Sequence, residues 1–487
     1  MSIFINCLSS EEKKEFLIYL QTRNKSLVSP NIKYVRAIYK GETEHSIKDE
    51  LYASNDAAFR ALKKRVADAL IDFIAENTFK NEISEDLETI KYLSVSQRLF
   101  KQGLTKHGFK ILKKAELKAL EIDQYTILSE VYHSYITYAP LKESPYTLDD
   151  LLVLIEENQK KLLVEERFNL VSSYLKIKLK NYNEGILEDL LSDAFNKFDV
   201  SVDDVFSYRS LHSLSQIINY GALVTNDYHS AALFLENSLI QTIASKTYHS
   251  RYDERLGDIY FVLAKLYFRS KAFKKSNQFV EKSLKYANNI NRDRIHKLLV
   301  LKAQNLNYLN KPNEAIELLE EVINNAKKWS DDLLHVNLSL IVFHFQQGNF
   351  KAVAKLFAHF YRTEKYYENQ MGVNWTASKS LIEILLHIEL ENIDYVAARI
   401  KSFKRRYKKY LSVIDDGNPV VYLQFIEHYL NNPQDTTTDK FKQKVEASFS
   451  WENEAAFDVF QIAFYAWLKA KMENISLYDM TLQLVNN

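Results

Sequence analysis

A chain of 487 residues is several times the usual domain size, so it holds either several globular domains or one extended array of stacked units. Nine glycines and six prolines are too few to punctuate many strands and tight turns, which excludes a β-rich fold and points to an all-α protein. Lysine plus arginine (64) balances aspartate plus glutamate (63), excluding a global field for nucleic acid or anionic membrane, and a single Cys7 excludes an internal disulfide or a cysteine zinc cluster.

The first residues, MSIFINCLSSEEKKEF, lack a basic segment followed by a long apolar run and soon meet Glu11-Glu12-Lys13-Lys14. No signal peptide is expected, and the expected location is cytoplasmic. Helical patterns follow in SEEKKEFLIYL, NIKYVRAIYKG and, after a Ser54-Asn55-Asp56 cap, AAFRALKKRVADALIDFI; residues 1–80 are expected to form a helical cap domain. Arg60, Lys63, Lys64 and Arg65 sit on the third of these helices. A DNA-recognition helix carries such cations, but the wet face of an amphipathic helix explains them as well. Glu42 with His45 and Glu130 with His133 have the Glu-x-x-His spacing of a di-iron bundle, yet the first pair falls in the polar connection GETEH. No two histidines lie four apart, so no metal is expected.

Residues 81–210 read as degenerate hairpins. Gly103 and Gly108 have the spacing of a phosphate-binding loop, but Phe109 stands where the lysine belongs and no strand precedes, so the segment is expected to be a hairpin turn inside LFKQGLTKHGFKILKKAELKALE. Further helices are expected over Tyr125 to Tyr138 and Arg167 to Leu179.

Between residues 211 and 411 one apolar stripe, at steps of three, four and three, recurs. It reads Tyr228, Ala231, Leu235, Ser238; Phe273, Ser276, Val280, Ser283; Pro312, Ala315, Leu319, Val322; Phe350, Val353, Phe357, Phe360; and Ile393, Val396, Ile400, Phe403. The second members, 231, 276, 315, 353 and 396, are 45, 39, 38 and 43 residues apart, the mark of a repeat with variable loops. Each stripe follows another helical pattern, as YFVLAKLYF precedes AFKKSNQFVEKSLKYA, so each unit is a helix hairpin with a small residue where its helices cross.

These residues resemble the tetratricopeptide repeat, with the best matches at Ala264, Tyr267, Phe273 and Ser276 and at Ala303, Leu306, Ala315 and Leu319. The spacings exceed the family's repeat of about 34 residues, so longer helices or loops are implied. The family often places glycine in the turn between the helices, where this chain has Gly348; the equivalent positions hold Lys271, Asn310 and Glu391, and a left-handed cap is expected there. The N-terminal pattern, taken with the repeats, is similar to that of uncharacterised cytosolic repeat proteins of Bacteroidota, a likeness that brings no activity.

The resemblance implies an α-solenoid whose first helices line a concave, peptide-binding face. Its candidate contacts here are Asp258, Phe261, Lys265 and Phe268, then Lys297, Val300, Gln304 and Asn307, then His335, Leu338, Val342 and Phe345. The lysine and asparagine pattern with which some members clamp a terminal carboxylate is not reproduced. The last repeat ends in KSFKRRYKKY, where Lys401, Lys404, Arg405, Arg406, Lys408 and Lys409 alternate with Phe403, Tyr407 and Tyr410. Cations beside aromatics suit nucleic acid or an acidic protein, but the aromatic spacing is that of a buried stripe with a basic wet face. Residues 412–487 are read as closing helices; the apolar run from Val459 to Leu468 is too short to span a bilayer and is expected to be buried.

No catalytic, cofactor or metal residue is expected. Cys7 has no activating neighbour, and no serine lies in a Gly-x-Ser-x-Gly elbow. The function expected is a non-catalytic scaffold or adaptor for a protein or peptide, without membrane contact. The alternative is a nucleic-acid-linked regulator that uses its basic helices.

Overall fold

The computed structural model describes residues 8–23, 29–52, 55–81, 85–180, 187–200, 207–245, 252–287, 292–326, 329–411, 418–448 and 459–486, so Cys7 and Ser54 lie outside the described residues. Among the described residues are 24 α-helices, two short 3-10 turns and no strand. The fold is all-α. No helix among them is long and apolar enough to cross a membrane. The chain divides into two compact units, Met1–Leu162 and Leu163–Asn487.

In the first unit, α1 (Ser10–Arg23), α2 (Pro30–Tyr39), α3 (Glu44–Tyr52) and α4 (Asp56–Asn81) bury Phe16, Leu20, Tyr34, Val35, Ile47, Leu62, Val66 and Leu70 in one core. Ser29 caps α2 by accepting from the Ile32 N–H, and Pro30 fits the first turn, where its missing N–H costs nothing. The GETEH segment corrects the sequence reading: His45 stands inside α3, which Thr43 caps through the Ser46 N–H. With Ile47 as its one buried residue, α3 carries too faint an apolar stripe to be read from sequence.

The same unit continues through α5 (Glu85–Lys101), α6 (Thr105–Glu121), α7 (Tyr125–Tyr138) and α8 (Leu148–Lys180), with the division between the units falling inside α8. The core here holds Phe100, Phe109, Leu112, Val131, Tyr135 and Leu151. The glycine pair is a hairpin device. Gly103 takes a left-handed φ of 74° between α5 and α6, and Gly108 lets α6 approach the Phe100 ring so closely that a Cβ would stand 2.7 Å from it.

The second unit opens with α9 (Leu187–Lys197) and continues in helix pairs: α10 (Tyr208–Thr225) with α11 (Tyr228–Ser245), α12 (Asp253–Arg269) with α13 (Phe273–Lys285), α14 (Arg292–Tyr308) with α15 (Pro312–Asn324), α16 (Leu334–Gln346) with α17 (Phe350–Phe357), and α19 (Val373–Glu389) with α20 (Ile393–Leu411). A short α18 (Glu364–Met371) is inserted before α19. The first member of every stripe is the first residue of its second helix, and Ala231, Ser276, Ala315, Val353 and Val396 all have 0% exposure, which makes these small side chains the crossing points. Ser276 also donates its hydroxyl to the Ala264 carbonyl of the partner helix at 2.8 Å and accepts from Asn305 of the next hairpin at 2.9 Å.

The turns share one geometry. Lys271, Asn310, Gly348 and Glu391 have φ of 59°, 61°, 72° and 59°, and the following residue donates its N–H five residues back, as Asn349 does to His344 at 2.9 Å. This is a left-handed helix cap that satisfies a terminal carbonyl and starts the next helix at once. The first helices pack side by side in chain order, α10 on α12, α12 on α14, α14 on α16 and α16 on α19.

The chain ends in α21 (Asn418–Asn431), α22 (Asp439–Ser448), α23 (Val459–Glu473) and α24 (Leu477–Asn486). Trp467 Nε1 donates to Glu389 at 2.6 Å, Lys471 pairs with the same carboxylate at 2.8 Å, and the Tyr478 hydroxyl donates to the Asn307 carbonyl at 2.7 Å. Thus α24 lies against α16 and reaches the end of α14.

Candidate functional site

A cavity of about 460 Å³ opens between the first helices of the second unit. Asn219 and Leu223 of α10, Phe261, Lys265, Phe268 and Arg269 of α12, Lys297, Val300 and Gln304 of α14, and His335 of α16 line it, with Tyr228, Leu266 and Leu301 completing the wall. The hairpin register explains this convergence: the second helices bury Ala231, Ser276, Ala315 and Val353 at their crossings, while α10, α12 and α14 keep side chains open to the shared space between them.

Seven of the twelve residues picked from the sequence as contacts, Phe261, Lys265, Phe268, Lys297, Val300, Gln304 and His335, line this one cavity. The other five are built into the fold. Asp258 meets His212 of α10 at 3.1 Å and Arg294 of α14 at 2.8 Å, tying three successive first helices together. Asn307 is fully buried and donates to Gln346 at 2.9 Å. Phe345 is core, as are Leu338 and Val342: α16 is packed by α14, α15, α17, α19 and α24, and nothing from Val336 to Gln346 reaches solvent appreciably. Leu223 was not picked, although it lines the cavity with 58% exposure. Its place in an apolar stripe of α10 gives no sign that this face is left open.

The wall is electropositive. Lys265, Arg269 and Lys297 line the cavity, and no carboxylate is among its described lining residues. Lys297 is bonded to Asp293 at 2.6 Å, beside the cavity, whereas Lys265 has its ammonium 4.9 Å from the centre of the Phe261 ring. Burial, and secondarily the nearby charge of Lys297, lowers the Lys265 pKa from its ordinary value. The same two causes, in the same order, lower that of His335.

The other basic groups are more committed. On α20, Lys404 bonds both oxygens of Glu427 at 2.7 Å and Arg406 donates to Glu368 at 2.7 Å, while Phe403 and Tyr407 are buried. Lys401 and Arg405 are exposed, and the side chains of Lys408, Lys409 and Tyr410 lie outside the described residues. On α4, Lys63 pairs with Glu44 at 2.6 Å and Arg60 donates to the Asp56 carbonyl at 3.3 Å; Lys64 and Arg65 face solvent.

Two buried polar clusters escaped the sequence reading because their members are far apart in the chain. Glu116, 2% exposed, accepts from Tyr135 at 3.0 Å and Tyr146 at 2.7 Å and pairs with Lys113 at 2.9 Å. In the second unit Lys379, 4% exposed, lies 3.0 Å from Glu364 and 3.7 Å from Glu383, and Arg399 bonds the same two acids. Each is internally paired. Glu130 and His133 are exposed on α7, and no group of three His, Cys, Asp or Glu side chains among the described residues is placed to hold a metal ion. No protein-family model, curated protein or solved structure matches the chain.

Proposed function

We propose that the second unit is a tetratricopeptide-like α-solenoid and that the chain is a non-catalytic, cytoplasmic scaffold or adaptor that holds a protein or peptide against its first helices. The observation that carries this reading is the cavity itself, shared by four consecutive hairpins and lined by aliphatic, aromatic and cationic side chains. Binding in such a groove draws affinity from apolar anchors on a preorganised wall and selectivity from the charges around them. Leu223, exposed in the free protein, and Phe261 serve as anchors.

The reading is tested by affinity purification of the tagged wild type beside Leu223→Asp, with circular dichroism to confirm that the variant is folded. A protein recovered stoichiometrically with the wild type and lost from Leu223→Asp supports it. Partners recovered equally by both contradict it. The nucleic-acid reading has less support, because Lys404 and Arg406 are already bonded to Glu427 and Glu368.

A further inference from the structure

Resting on that reading of the groove, we infer that the segment it holds is acidic: a stretch of a protein partner that sets a carboxylate between Lys265 and Lys297 and an adjoining aliphatic or aromatic side chain against Leu223, Phe261 and Val300. The chain as a whole is balanced in charge, yet Lys265 and Lys297 stand on this cavity and none of its described lining residues is an acid. Lys265 is the telling group. The fold draws its ammonium out of water against the Phe261 ring and gives it Lys297 as a charged neighbour from α14, with Arg269 and Asp258 from its own helix, Asn219 from α10 and His335 from α16 around the same space. Asp258, the one acid near it, is bonded to His212 and Arg294. With Lys297 held by Asp293, an incoming carboxylate supplies a counter-charge to Lys265 and restores the proton affinity that burial takes from it.

The apolar remainder of the wall argues for peptide over nucleic acid. Leu223, Phe261 and Val300 offer surface to a hydrophobic side chain, whereas a phosphate backbone calls for a row of exposed cations. The partner is therefore a segment in which Asp or Glu alternates with apolar residues.

Random peptides displayed on phage, selected on the full-length wild type, test this. Selected sequences are expected to be rich in Asp and Glu beside an aliphatic or aromatic residue. A synthetic copy of the best should bind Lys265→Met about tenfold more weakly, the loss of one charge-assisted contact, while Lys265→Arg retains it. Wild-type affinity should fall as pH rises above neutrality, and Lys265→Arg should remain flat over that range. Acidic peptides indifferent to Lys265→Met, no selected peptide at all, or oligothymidylate displacing the peptides would overturn the inference. Neutral peptides that bind wild type and are lost on Leu223→Asp would remove the acid and leave the groove.

Discussion

At the turns of four hairpins in the second unit one residue takes a left-handed backbone, and of these only Gly348 does so without a Cβ; Lys271, Asn310 and Glu391 accept the strain. The space beside Gly348 is open to 4 Å, so an added methyl meets no neighbour and the cost is conformational alone. Gly348→Ala should therefore destabilise by about 1 kcal/mol, and Glu391→Gly should stabilise by several tenths, both read from urea midpoints. The same sign at the two sites would show that the turn geometry is not shared. Lys265 poses the opposite problem, a charge kept half-buried without need of it for packing. Lys265→Met should raise the unfolding midpoint of the free protein while weakening peptide binding. The pH dependence follows from the same shift. A lowered folded-state pKa means the unfolded chain holds that proton more tightly, so the wild type should gain stability relative to Lys265→Met as pH rises towards the ordinary lysine value of 10.5.

Among the elements, the second helices were legible from sequence because their periodicity is strong: the stripes at Tyr228, Phe273, Pro312, Phe350 and Ile393 begin where the helices begin. Amphipathic helices announce their buried face. The elements that were missed lack that contrast. α3 buries only Ile47, and α18 buries only Tyr367. The sequence LHVNLSLIVFHFQ of α16 is apolar on all sides, a sign of all-round burial, yet periodicity alone placed Leu338, Val342 and Phe345 on an open face. α18 has its own role, since its Glu364 joins Lys379 of α19 and Arg399 of α20 in the buried ion cluster. Lys379→Ala should cost about 3 kcal/mol by leaving Glu364 and Glu383 to one cation, measured as a lowered denaturant midpoint. A change within about 0.5 kcal/mol would mean that Arg399 alone neutralises both acids.

On the scale of the whole second unit, most helices pack against neighbours close in the chain, α12 on α13 and α14 on α15 above all. The last hairpin changes that. α24 returns to α14 and α16 across 171 residues of chain, with Tyr478 on Asn307 and Leu477 and Leu484 packed beside the α16 core. Truncation after Glu473 should speed amide hydrogen exchange in α14 and α16 more than in α10 and α12; uniform exchange would show that the closure carries no stability. The groove half was legible in the sequence through Phe261, Lys265, Phe268, Lys297, Gln304 and His335, because hairpin register alone decides which face of a first helix is shared. The closed half was not, because the helix that fills it comes from the far end of the chain.

The central claim is that the wall built by α10, α12, α14 and α16 is where a partner sits. It is tested most directly by placing a photo-crosslinking amino acid at Leu223, in that wall, and separately at the exposed Lys355 of α17, then irradiating living cells. The account predicts one protein crosslinked from position 223, diminished when Lys265→Glu is added, and none from position 355. Crosslinks from 355 with none from 223 would contradict it.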